Sequence, residues 1–438
     1  MSQPEQASSK GHKRNKSSIT RSTRPRSSTK GPLDAEDDPL AFLTATRAAQ
    51  LTPNPQLPIR AASPARRPQP PASPIPQVGE ARPKDFSFLL RPEIYHPLTP
   101  LNVPAPFRNS SKQPDAEASI DELLAKGHFR AAAIAAVQEL TGSGSSGGVD
   151  PKDAQRIFKL LYTRLACLTL VDATTLAAQE VKALEDLNDA RRYIDDATGE
   201  HLVPWELRVL NVRLQALGFG DPRRAVMSYH DLAREARDNA RGAATKHDNS
   251  ARELWKARLH DLGIKVAGAL IDMNDPSGAA HHLKSLRDRG DGKLAFAKAL
   301  LFLHLGDAES ARACAEQCSE DAEQTEDIIL ALCDMADSNF ADALEKWQDL
   351  KESTEDEMIG VNTAVCLLYL GKIQDARTIL EGLVNSGLSS HTLLFNLSTI
   401  YELCAEKNRN LKLKLAEQVA SLDESPAGWE KTNADFKL

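Results

Sequence analysis

From Ser119 to about residue 420, apolar residues recur at spacings of three and four in segment after segment, and no convincing run alternates apolar with polar as a strand would. Ile157, Leu160, Leu161, Leu165 and Leu168, for example, fall on one face of a helix. Asp150 and Pro151 read as the N-cap and first-turn proline of that helix, and Pro204 as the start of another before Trp205. The pattern predicts an all-α body.

The helices repeat. A turn residue is followed five positions later by alanine as Gly127 with Ala132, Asp172 with Ala177, Gly220 with Ala225, Asn274 with Ala279, Gly306 with Ala311, Ser338 with Ala343, and Gly371 with Ala376. From Ala279 onward the alanines are 32, 32 and 33 residues apart; the earlier intervals of 45, 48 and 54 leave room for inserted loops such as Thr141 to Gly148 and Arg237 to Ser250. Gly, Asn or Asp at the turn tolerates the backbone that ends a first helix. The alanine is small where the second helix crosses it closely. One turn further on stands a larger group, Val181, Tyr229, Leu283, Trp347 or Leu380, on the same face. This is the layout of tetratricopeptide-like helix pairs. A further pair fits the register, because Val361-Asn362 and Phe395-Asn396 are 34 apart. Stacking about seven or eight such pairs gives a right-handed α-solenoid with a concave groove, stabilised between nearest neighbours.

Composition divides the chain. Of its 25 prolines, 20 lie between Pro4 and Pro114, and residues 1–118 carry 17 Lys and Arg against 10 Asp and Glu, leaving 37 against 51 in the remainder. Residues 1–115 therefore read as a disordered Pro/Ser/basic arm that cannot bury enough apolar surface to offset its ordering entropy. Within it, residues 38–49 make a short amphipathic helix, and 85–101, DFSFLLRPEIYHPLTPL, is apolar enough to dock on the first body helices. The solenoid is expected over 116–424 and a tail over 425–438. Thr52, Ser63, Ser73 and Thr99 each precede proline and are candidate phosphorylation sites. Eight basic residues between Lys10 and Lys30 have no acidic neighbour, which fits a solvated tail and leaves a nuclear pool open; without aromatics for stacking, no nucleic-acid partner is expected.

Several classes are excluded. No stretch approaches the roughly 20 apolar residues that span a bilayer, so no integral membrane contact is expected. Residues 1–16 lack an apolar core behind their positive charges, which argues against secretion. Six scattered cysteines do not make a disulfide framework, and a reducing compartment follows.

Catalytic motifs are decoys. Gly142, Gly144 and Gly147 spell G-x-G-x-x-G but follow a helix rather than a strand. Cys314 and Cys318 lie one helical turn apart, too few ligands for zinc. No cofactor or metal is expected. Asn211, Asn362 and Asn396 occupy one place in their units, at which a tetratricopeptide array faces its concave side, so these amides are candidate contacts for a bound peptide backbone. Val361 and Phe395 stand where a clamp for chaperone tails needs basic partners.

The strings AVCLLYLGK (Ala364 to Lys372), LLFNLSTIYEL (Leu393 to Leu403), SIDELLAKGHFRAAA near Ser119 and VPWELRVLNVRLQALG near Val203 resemble the subunit 12 family of the trafficking protein particle (TRAPP) complex. The resemblance spans most of residues 119 to 420. It implies a non-enzymatic scaffold in an assembly that tethers vesicles and loads GTP onto Rab GTPases in ER-to-Golgi traffic and autophagy. The catalytic surface there belongs to small core subunits, so Rab is met only indirectly. The implied partners are the core and the large subunits 8, 11 and 13, and the implied place is cytoplasmic, peripheral to ER-Golgi intermediate and Golgi membranes. A free adaptor that binds short peptides in its groove is the alternative.

Overall fold

Seven inter-helix turns share one backbone geometry. In the computed structural model, which describes residues 84–115, 117–144, 147–286, 293–316, 323–353 and 356–438, Gly127, Asp172, Gly220, Asn274, Gly306, Ser338 and Gly371 all have φ between 57° and 79°. At each of them the next residue's N–H donates to the carbonyl five residues back, as in His128 to Leu123 at 2.8 Å, Asp307 to Phe302 at 2.9 Å and Lys372 to Leu367 at 2.8 Å. This left-handed closure satisfies carbonyls that the end of a helix would otherwise leave open. Where the next residue is Asp, as at Asp221, Asp275 and Asp307, its carboxylate also caps the following helix.

The helices so joined run in order. After the single turn α1 (Ala105–Arg108) come α2 (Ile120–Ala125) with α3 (Phe129–Thr141), and α4 (Ala154–Leu170) with α5 (Thr174–Glu180). A second single turn, α6 (Ala190–Tyr193), precedes α7 (Trp205–Phe219) with α8 (Pro222–Thr245), and α9 (Asn249–Asp272) with α10 (Pro276–Ser285). Four more pairs follow: α11 (Lys293–His304) with α12 (Ala308–Ala315), α13 (Glu323–Ala336) with α14 (Phe340–Ser353), α15 (Glu357–Tyr369) with α16 (Ile373–Asn385), and α17 (His391–Cys404) with α18 (Asn408–Ser421). Among the described residues there is no strand, and one isolated bridge joins Ile194 to His201. The fold is an all-α stack of tetratricopeptide-like pairs.

Ala132, Ala177, Ala225, Ala279, Ala311, Ala343 and Ala376 are all buried, as are Val181, Tyr229, Leu283, Trp347 and Leu380 one turn beyond. Apolar side chains gather into a succession of local clusters, such as Trp205, Tyr229 and Leu262 between α7, α8 and α9, then Leu283, Phe302 and Ile329 further along. Each pair is thus stabilised chiefly by its neighbours.

Two local readings need correction. Arg237 to Thr245 is helix, not loop: α8 runs on, and only 246–248 separate it from α9. The stretch DLAREARDNARGAAT carries strong helix formers and the ladder pairs Asp231–Arg234 at 3.0 Å and Asp238–Arg241 at 3.3 Å. The two long helices make a hairpin that reaches past its neighbours. Asp153, not Asp150, caps α4, while Asp150 bonds the N–H of Lys152 in the preceding turn.

The stack does not end freely. Residues 84–115 form a strap along it. Phe86 and Leu89 are buried with Phe158 and Tyr193. Arg164 and Glu180 form a fully buried ion pair at 2.6 Å, and both hold His96: Arg164 donates to its carbonyl at 2.7 Å, and its N–H donates to Glu180 at 2.8 Å. Residues 425–438, expected as a tail, instead bury Trp429 and Phe436 against Phe107 of the strap. The same segment grips the first pair. The N–H of Trp429 donates to the Gly127 carbonyl at 3.2 Å, Arg130 donates to Glu430 at 2.5 Å, and His128 lies 3.3 Å from Glu424. Lys112 donates to the carbonyls of Ser421 and Leu422 at 3.0 and 2.7 Å, at the end of the last helix. The first and last pairs are therefore bridged by two non-repeat segments.

Candidate functional site

The first helices of successive pairs bury one stripe and expose another. On α4 the exposed stripe includes Tyr162, Ala166 and Leu170; on α7 it is Glu206, Val209, Leu210 and Arg213; on α9 it is Leu254, Ala257, Asp261 and Lys265. Side by side these stripes form a groove of about 700 Å³, which meets a second hollow of about 620 Å³ at Arg213, Tyr229 and Lys265. Leu170 and Leu254 stand 63% and 51% exposed, unusually open for leucines. Charges of both signs alternate with them. Arg258 pairs with Glu206 at 3.2 Å, and Lys265 with Asp261 at 3.5 Å. Burial pushes the Tyr229 phenol up to about 12, so it remains a neutral hydrogen-bond donor at physiological pH. Open leucines, a tyrosine and paired charges along one trough suit a polypeptide segment better than a small polar substrate.

The three asparagines are not brought together there. Asn211 is only 5% exposed, its Oδ1 is buried without a hydrogen-bond partner, and it lines neither hollow. The reason is angular: groove positions on α7 are 206, 209, 210 and 213, and one residue further rotates a side chain by about 100° toward the packed interior. Asn362 and Asn396 are half-buried on α15 and α17, in the seventh and eighth pairs, with three pairs between them and Asn211. Thr99 is exposed; its hydroxyl accepts the Leu101 N–H at 3.2 Å and its carbonyl accepts from Arg130 at 2.7 Å. Thr52, Ser63, Ser73 and the segment 38–49 lie outside the described residues.

The groove residues Tyr162, Arg213 and Leu254 were open to sequence reasoning through one signal only, a large apolar or charged residue on the helix face opposite the buried stripe. Elsewhere, Gly142 and Gly147 take positive φ in the loop after α3, with no strand before them. Cys314 and Cys333 are buried in one apolar cluster, and Cys318 lies outside the described residues. Burial pushes the Cys167 and Cys366 thiols up to about 11, which leaves them unreactive. His282 donates from Nε2 to the Gly263 carbonyl at 3.0 Å, while His281 is exposed. Among the described residues no three His, Cys, Asp or Glu side chains converge as a metal site, and no helix is long and apolar enough to cross a membrane.

No protein-family model matches the chain. It is similar to trafficking protein particle complex subunit 12 of Mus musculus, 24% identical over 350 residues that cover 72% of this chain and 44% of the relative. The Homo sapiens protein of the same name is 24% identical over 339 residues, covering 69% and 46%. The chain thus spans less than half the length of these curated relatives. A solved tetratricopeptide repeat protein from Parabacteroides merdae aligns with 59% of this chain and 98% of its own, at 13% identity and a TM-score of 0.34.

Proposed function

We propose that this chain, which its relatives and its repeat architecture support as a tetratricopeptide protein of the subunit 12 family, is a non-catalytic scaffold subunit of a TRAPP-type complex. The observation that carries the reading is the similarity to subunit 12 across about seven-tenths of the chain. In this role the stacked helices hold other subunits, the large subunits 8, 11 and 13 and the core, and Rab GTPases are reached only through that assembly. Vesicle tethering, ER-to-Golgi transport and autophagy would be its processes, and the surface of ER-Golgi intermediate or Golgi membranes its place. The groove over α4, α7 and α9 supplies a contact surface, since its open leucines and alternating charges fit an extended or helical segment of a neighbouring subunit.

The test is pairwise binding of the full chain to purified TRAPP subunits, with Leu254→Glu and Arg213→Glu introduced together. Both side chains point to solvent, so the melting temperature should stay within about 2 °C. Affinity for at least one subunit should fall at least tenfold, the usual loss when one central apolar contact and one charge are removed. If no TRAPP subunit binds the unaltered chain, the function is wrong; if one binds and the variant binds equally well, the groove is not the contact.

A further inference from the structure

Most charged side chains along the groove over α4, α7 and α9 pair with one another, Arg258 with Glu206 at 3.2 Å and Lys265 with Asp261 at 3.5 Å. Arg213 has no such partner. It stands exposed on α7 where the two hollows meet, and it makes no ion pair or hydrogen bond with the described residues. Tyr229 on α8 lines both hollows and is 5% exposed, yet its hydroxyl bonds no group among the described residues. Of the charged groups around that phenol, Arg213 acts on it most strongly, ahead of Asp261 and Asp272.

A buried hydroxyl ordinarily finds a partner within the fold, because a donor withdrawn from water without one keeps its desolvation cost. The junction therefore offers two unpartnered donors, one neutral and one cationic, to an acceptor from outside. A neutral acceptor would leave the guanidinium unmatched, whereas a carboxylate answers both. Asp272, also without an ion pair, lies on the second hollow and disfavours a doubly charged phosphoryl group there. On either side of the junction the lining is apolar, with Leu170 and Leu254 at the first hollow and Leu217 and Ala269 at the second. At Gly268, on the second hollow, an added Cβ would meet nothing within 4 Å, so there is room for a side chain. A chain-terminal carboxylate would leave one hollow empty; an internal acidic residue has neighbours for both.

We propose that this junction is a carboxylate subsite: an internal Asp or Glu side chain of the docked segment accepts from the Tyr229 hydroxyl and pairs with the Arg213 guanidinium, while its apolar neighbours enter the two hollows. The subsite presupposes the polypeptide contact proposed above and sets what the segment must carry, an acidic residue flanked by apolar ones. Tyr229 then discriminates among segments. One without the carboxylate would cover the hydroxyl and leave it unbonded, the penalty by which buried polar groups reject a wrong partner.

The probe is a phage-displayed library of random peptides, fused through their C-termini and selected on the full chain. Enriched sequences should share an acidic residue between apolar ones. Selection on Arg213→Glu should place Lys or Arg at that position in the same apolar frame, a reversal that a merely structural arginine would not produce. For one enriched peptide, affinity should fall at least ~tenfold in Tyr229→Phe, the loss of one hydrogen bond to a charged group. The melting temperature of that variant should stay within about 2 °C, since the hydroxyl bonds nothing in the free chain. Gly268→Leu puts a better helix former into open space and fills the second hollow, so it should weaken the same peptide with the helices intact by circular dichroism. No enrichment, a basic or wholly apolar consensus, an unchanged consensus from Arg213→Glu, or equal binding by Tyr229→Phe or Gly268→Leu would each overturn the subsite. The library contains no TRAPP subunit, so an acidic consensus stands even where pairwise binding to those subunits fails, and the two outcomes are separable.

Discussion

Gly127→Ala tests the bridge between the two ends of the stack. Gly127 has φ of +74°, and an added Cβ would stand 2.2 Å from the Ser425 carbonyl oxygen and 2.7 Å from the Gly428 Cα. Gly371 is the matched control: its φ is +79°, and a Cβ there meets nothing within 4 Å. Both variants carry the cost of a side chain in the left-handed region, about 1–2 kcal/mol. Only the first forces backbone apart. The segment 425–436 must then withdraw, with loss of the Trp429 N–H bond to Gly127 and of the Trp429 ring packed on Phe107 and His128. Exposing a buried tryptophan costs about 3–5 kcal/mol, and partial withdrawal should lose about half of that. Because repeat arrays unfold in parts, a local readout is the right one. Hydrogen exchange at amides 429–436 should quicken about 10- to 60-fold in Gly127→Ala, at roughly 1.4 kcal/mol per factor of ten, and stay near the wild-type rate in Gly371→Ala. Equal exchange in the two variants would refute the bridge.

Three other outcomes follow from the packing. Glu180→Ala leaves the Arg164 guanidinium buried without its carboxylate and should destabilise by about 3–5 kcal/mol, with faster exchange over 84–99; Arg164→Met combined with Glu180→Leu should recover most of that. Burial, and for His201 also the nearby Arg208, holds His201 and His282 below the usual histidine value. The unfolded chain then takes up protons first, so stability is lost as pH falls from about 6.5 through the lower folded values. The melting temperature should drop between pH 7 and 5, less so in His201→Asn with His282→Gln, and a flat profile in the wild type would contradict this. Ala343 is fully buried one turn from Trp347, so Ala343→Leu should overpack the sixth pair and cost about 1–3 kcal/mol, measured as a lowered melting temperature.

What the sequence disclosed and what it hid follow from the range of each interaction. A turn such as Gly306 with Ala311 is legible because the left-handed backbone and the close crossing each restrict one residue at a set offset. The α8–α9 hairpin was hidden because residues 237–250 are polar nearly all round, and their helix rests on alanines and on charge pairs three apart. Trp429 and Phe107 meet across more than three hundred residues, and nothing local in either segment names its partner. The groove failed to be read at Asn211 for a finer reason. Repeat spacing carries no information about which face a position presents: one residue of offset on α7 separates Leu210, in the trough with Arg213, from Asn211 in the packed interior.

Affinity purification of the tagged full chain, expressed at its natural level and followed by quantitative mass spectrometry, reaches the central claim most directly. The scaffold reading predicts that TRAPP subunits, large and core together, are enriched with the chain in comparable molar amounts. A partner list that contains none of them would contradict it.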